Sequence, residues 1–77
     1  LNPDYLSRFF KEQVGEGLLS YIHKTRLNHA KERLINSDSS ILDIAKDVGY
    51  YNSSSFIRKF KEIEGITPGE YKKLLNN

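Results

Sequence analysis

The chain has 77 residues, 38% of them hydrophobic and 29% charged, with twelve basic side chains against ten acidic ones and a formal net charge of +2. That length supports one small domain, and the apolar share is that of a folding protein rather than a disordered tail. With no cysteine, a disulfide frame and a thiolate metal site are excluded, and no apolar run approaches the roughly 18–20 residues that cross a bilayer.

The start, Leu1-Asn2-Pro3-Asp4, has neither the basic nor the apolar region of a signal peptide, so a cytoplasmic setting without a membrane partner is expected. A first residue other than Met points to a piece of a longer protein. The charges are unevenly spread. Asp38, Asp43 and Asp47 outweigh Lys46 in the centre, while both flanks are mildly basic. Two basic flanks suit a polyanion touched at two places, and a well-solvated surface would read the same way.

Pro3 is tolerated in the first turn of a helix, and Asn2 before it is a capping residue. From Asp4 the apolar residues Leu6, Phe9, Phe10 and Val14 recur at helical steps up to Gly15. A longer helix is predicted from about Leu18 to Asn36, with a stripe of Leu18, Ile22, Leu27, Ala30 and Leu34 that Tyr21 and Ile35 broaden. Residues 36–40 are polar turn material with several candidate caps. A short helix then carries Ile41, Leu42, Ile44, Ala45 and Val48 and stops at Gly49. Asn52 and the serines after it open a further helix through Phe56, Ile57, Phe60 and Ile63 to Gly65. Thr67-Pro68 is a cap and first-turn proline for a last helix through Tyr71, Leu74 and Leu75. No segment alternates over strand length, so the predicted fold is all-α.

An internal repeat organises these elements. A displacement of 50 positions brings Asn2 onto Asn52, Arg8 onto Arg58, Phe10 onto Phe60, Lys11 onto Lys61, Glu12 onto Glu62, Gly15 onto Gly65 and Tyr21 onto Tyr71. The order of cap, helix, glycine stop and next helix is kept, as duplication of one helical unit requires. The second copy has a helix and a Gly49-Tyr50-Tyr51 turn ahead of it. The first has almost nothing ahead of Asn2, which predicts a first unit lacking its leading helices.

Residues 41–60 have the physical make-up of a helix-turn-helix. Ala45 is small enough for a close helix crossing, Gly49 suits a left-handed turn, and Phe56 and Phe60 point back to the seam of Ile44 and Val48. The outer face of the second helix is then Ser53, Ser54, Ile57, Arg58 and Lys61. Arginine suits guanine because its fork matches O6 and N7 together, and Ile57 suits a thymine methyl. In the first copy the same face is Asp4, Ser7, Arg8 and Lys11, with Asp4 either accepting from cytosine or repelling phosphate.

The run Ile44-Ala45-x-x-Val48-Gly49-Tyr50, with Phe56-x-x-x-Phe60-Lys61 and Gly65-Ile66-Thr67-Pro68-x-x-Tyr71, resembles the C-terminal signature of the AraC/XylS family of transcription regulators. Leu6-x-x-x-Phe10-Lys11, Gly15, Tyr21, Arg26-Leu27, Ala30 and Leu34 resemble that family's first motif and linker helix. The resemblance implies two helix-turn-helix units joined by a long helix and bound to successive major-groove segments of double-stranded DNA. It divides the chain into a first recognition helix (1–16), a linker helix (17–36) and a second unit with the C-terminal helix (40–77). By position it makes Ser53, Ser54, Ile57, Arg58, Asp4, Ser7 and Arg8 base-facing, and Lys11, Asn52, Lys61 and Thr67 phosphate contacts. Asn2-Pro3-Asp4-Tyr5-Leu6-Ser7 and Gly65-Ile66-Thr67-Pro68 are similar to members fused to two-component receiver domains. An upstream regulatory or receiver domain and RNA polymerase are therefore candidate protein partners.

Other classes leave less on the sequence. His23 and His29, six apart, fall on different helix faces and make no metal pair, and nothing nucleophilic joins Asp43 and Asp47, so neither an enzyme nor a cofactor is expected. Arg26 reads as structural, paired with a carboxylate. A helical protein-interaction module is the rival, with Tyr5, Phe9, Tyr50 and Tyr51 as its apolar patch.

Overall fold

The computed structural model describes residues 3–76, which form five helices and no strand. They are α1 (Pro3–Val14), α2 (Leu18–Asn36), α3 (Ile41–Asp47), α4 (Ser53–Glu64) and α5 (Pro68–Leu75). No helix among them is long and apolar enough to cross a membrane. The Asn2 cap lies outside the described residues.

The other caps follow from short polar side chains. Ser40 Oγ accepts from the Asp43 backbone at 3.1 Å, and Asn52 Oδ1 from that of Ser55 at 2.8 Å. Thr67 and Glu70 satisfy one another reciprocally at the start of α5, a capping box with Pro68 just inside it. Each removes an orphan helix donor, worth about 1 kcal/mol.

The core is the meeting of three helices. Leu27, Ala30 and Leu34 of α2, Ile44 and Ala45 of α3, and Phe56 and Phe60 of α4 have no exposed surface; Val48 and Tyr50 of the intervening turn join them. Ala45, the small residue of α3, is fully buried in this cluster. Rings continue the core outward, from Tyr50 to Phe56 (5.6 Å), Phe56 to Phe60 (5.8 Å) and Phe60 to Tyr71 of α5 (5.6 Å). The steep angles of the last two contacts set positive ring edges on negative faces.

Only the second half of α2 is buried. Leu18, Tyr21 and Ile35 of the predicted stripe are substantially exposed, and Leu42 of α3 is too. The first half of α2 meets α1 through Tyr21 and the turn after α3 through His23 and Arg26, and no residue of α1 is buried.

The repeat is preserved in three dimensions. Gly15 and Gly65 end their helices at φ of +88° and +87°, and each donates to the carbonyl four residues back at 2.8 Å. Phe10 meets Tyr21 edge-on at 5.2 Å, as Phe60 meets Tyr71. The copies differ in depth, because Phe60 is wholly buried and Phe10 only half so.

Gly49 closes the α3 turn at φ +103°, and a Cβ there would sit 3.0 Å from Arg26 Nε. Gly49→Ala is therefore expected to cost about 1–2 kcal/mol for the left-handed backbone alone, read by urea denaturation. Gly69→Ala, inside α5 with nothing within 4 Å of the new Cβ, should instead raise stability by about 0.5–1 kcal/mol.

Candidate nucleic-acid interface

The buried side of α4 determines what its other side shows. With Phe56 and Phe60 locked into the core, Ser54, Ile57, Arg58 and Lys61 are exposed, and Ser53 is half-exposed. They follow one another at helical steps and form a single stripe running from the N-terminus of α4. Ile57 retains 36% of its surface, enough for an apolar contact from an otherwise polar stripe. Among the described residues Arg58 enters no ion pair, whereas its neighbour Lys59 turns away to Glu62 at 3.4 Å.

The same stripe recurs on α1. Asp4, Ser7, Arg8 and Lys11 are all exposed and stand at the positions of Ser54, Ile57, Arg58 and Lys61 displaced by 50. Asp4 lies in the first turn, where a carboxylate complements the helix dipole. Arg8 shares a shallow hollow with Tyr5, Phe9 and Glu12, and the Tyr5 and Phe9 rings stack at 6.3 Å.

The linker's cations are mostly engaged. Lys24 pairs with Glu16 at 2.8 Å, Lys31 with Glu64 at 3.0 Å and Arg33 with Asp47 at 2.8 Å. All three reduce the free positive charge of α2, and the pairs with Glu64 and Asp47, each a surface contact of at most about 1 kcal/mol, tie it to α4 and α3.

The two cap residues have part of their hydrogen-bonding capacity in use. Asn52 Oδ1 is taken by the Ser55 backbone, which leaves its amide hydrogens free for an outside acceptor. At α5 the Thr67 N–H donates to Glu70 Oε1 at 2.9 Å. That bond from the Thr67 backbone, then the Thr67 hydroxyl and the Lys61 charge, hold the Glu70 carboxyl below its usual range. A carboxylate thus already occupies the start of α5.

Two sequence expectations are corrected. Arg26 does not take a carboxylate partner among the described residues; its guanidinium lies over the Tyr50 ring, 5.5 Å from the centroid. Tyr50 is not part of an exposed patch, because it is only 8% exposed and closes the core against Phe56. That leaves Tyr51, at 94% exposure, apart from Tyr5 and Phe9 in the chain. The sequence weighs His23 only as a metal ligand, and the structure instead places its Nδ1 2.7 Å from the Tyr50 hydroxyl. The available signal was the three-residue spacing of His23 and Arg26, which puts both on one face of α2.

Comparison with known proteins gives the geometry its context. A helix-turn-helix domain family model matches residues 1–74. The uncharacterized HTH-type transcriptional regulator YtdP of Bacillus subtilis is 45% identical over 71 residues, which are 92% of this chain and 9% of that protein. The uncharacterized transcriptional regulatory protein YesN of the same organism is 39% identical over 75 residues, 95% of this chain and 20% of the relative. The chain thus spans a fifth or less of the length of these two curated relatives. The C-terminal domain of the two-component response regulator yesN from Fusobacterium nucleatum superposes with a TM-score of 0.91 at 35% identity, covering 94% of this chain and 70% of that one.

Proposed function

Because this chain belongs to the helix-turn-helix family of AraC/XylS transcription regulators, we propose that it reads double-stranded DNA with two helices, α4 and α1, set in adjacent major-groove segments. The observation that carries this reading is the doubled stripe. Two helices with the same glycine stop and the same edge-on Phe–Tyr contact expose Arg8 and Arg58, and Lys11 and Lys61, at equivalent positions. A lone basic stripe is an ordinary solvated face; a duplicated one, on helices whose inner faces are committed to packing, suits a ligand that itself repeats. The linker helix between them has 19 residues, hence a length of about 28 Å.

In this reading residues 1–16 are the first recognition helix, 17–36 the linker and 40–77 the second unit. Ser53, Ser54, Ile57, Arg58, Asp4, Ser7 and Arg8 face bases. Lys11, Lys61, the Asn52 amide and the Thr67 hydroxyl hold phosphates, which fix register without reading sequence. The likeness to a response-regulator C-terminal domain extends the proposal to a receiver domain as the input.

Selection of the intact protein against a randomised duplex library tests it. Two half-sites about 10–10.5 base pairs apart, centre to centre, are expected. Equal affinity for selected and shuffled duplexes at physiological salt would overturn the reading.

A further inference from the structure

His23 and Arg26 converge on one ring. From one face of α2, His23 places Nδ1 2.7 Å from the Tyr50 hydroxyl and stacks on the ring at 5.7 Å and 22°. Arg26 covers the ring at 5.5 Å and packs beside Gly49. Tyr50 lies between α3 and α4, its N–H bonded to the Ala45 carbonyl at 2.8 Å and its ring against Phe56 in the first turn of α4. The linker thus grips the turn two residues ahead of Asn52, the cap of α4.

We propose that His23 and Arg26 are positioning residues for α4: by holding Tyr50 they fix the turn that aims the helix, and protonation of His23 loosens that hold, so DNA reading by α4 weakens in mild acid. The binding half of this statement rests on the function proposed above.

The chemistry follows from which partner carries the proton. Burial pushes the Tyr50 phenol up from its usual value, so it stays protonated, and in the proposed clamp a neutral imidazole with its proton on Nε2 accepts the Tyr50 hydroxyl at Nδ1. A proton on Nδ1 removes that acceptor, and the hydroxyl must turn to accept instead. The new charge then stands near Lys59 of α4 and Arg26 of α2, opposed by the Glu62 carboxylate of α4. Desolvation first, then Lys59 and Arg26, hold the His23 imidazole below its usual value, against Glu62. Because the folded state binds this proton more weakly than the unfolded chain, the stabilisation is present above about pH 6.5. It is lost as pH falls through the lower folded value.

His23→Asn keeps an acceptor near the Nδ1 position and cannot titrate, so it separates position from protonation. In NMR titrations of the intact protein, the amides of residues 50–56 should follow the His23 imidazole and stand still in His23→Asn. Arg26→Gln should move the imidazole pKa back towards its usual value. On the selected duplex, affinity between about pH 8 and about pH 5.5 should fall about fivefold further in the wild type than in His23→Asn. His23→Ala should bind less well throughout, with asparagine restoring the neutral-pH affinity. Amides 50–56 that ignore the His23 titration, or identical pH profiles for wild type and His23→Asn, would overturn the clamp. Failure to select any duplex would instead sink the DNA reading, while the amide titration still decides whether His23 holds the turn.

Discussion

Phe60→Ala is expected to unfold the second unit or leave it marginal. The ring has no exposed surface and sits between Phe56 at 5.8 Å and Tyr71 at 5.6 Å, so it links α4 to α5 as well as to the core. Truncating a fully buried phenylalanine costs about 3–5 kcal/mol, for the lost transfer energy and for the cavity that remains. A small domain has about 5–15 kcal/mol to lose. Phe10→Ala removes the same residue type from the same place in the repeat. There the ring is half-exposed, Tyr21 is its ring partner and no neighbour on α1 is buried. Its expected cost is about 1–2 kcal/mol. The comparison is made by urea denaturation followed by far-ultraviolet circular dichroism. Equal losses at the two sites would mean that α1 is packed as firmly as α4.

That asymmetry also shows where the sequence was informative. The helix ends were legible because each rests on local chemistry: Asn52, Thr67 and Ser40 reach their own first turns, and Gly15 and Gly65 take a backbone that other residues avoid. The buried face of α4 was legible because Phe56 and Phe60 are one helical turn apart, and its exposed stripe follows by subtraction. The linker was harder. Its residues serve two sides, with Leu27, Ala30 and Leu34 in the core and Tyr21 turned to Phe10 of α1, so no single stripe describes it. The Tyr50 clamp lay out of reach for a different reason. His23 and Tyr50 are 27 residues apart, and periodicity says which face a residue is on but not which ring it will meet. From the sequence Arg26 reads as structural, with a carboxylate as its expected partner. The structure gives it an aromatic face instead, an attraction of about 0.5–2 kcal/mol that depends on the guanidinium lying flat over the ring.

Arg58 and Lys61, one turn apart on the same stripe, are expected to fail in different ways when substituted. Arg58→Ala should relax preference at one base position of the selected site by about 1–3 kcal/mol, the discrimination carried by a bidentate contact to guanine. Affinity for unrelated duplexes should change little, and competition with single-base variants of the site reads the difference. Lys61→Gln should weaken binding to all duplexes alike and flatten the slope of log affinity against log salt by about 0.9, since one fewer phosphate is neutralised. An unchanged base preference in Arg58→Ala, or an unchanged slope in Lys61→Gln, removes that residue from the groove. Arg8→Ala provides the stricter comparison. Arg8 has the same helical position as Arg58, but α1 has no buried residue to fix its tilt, and an arginine fork discriminates only when its backbone is held. Arg8 should therefore contribute less discrimination than Arg58. If the two losses prove equal, DNA itself must order α1, and binding should then carry the larger negative heat-capacity change that coupled ordering requires.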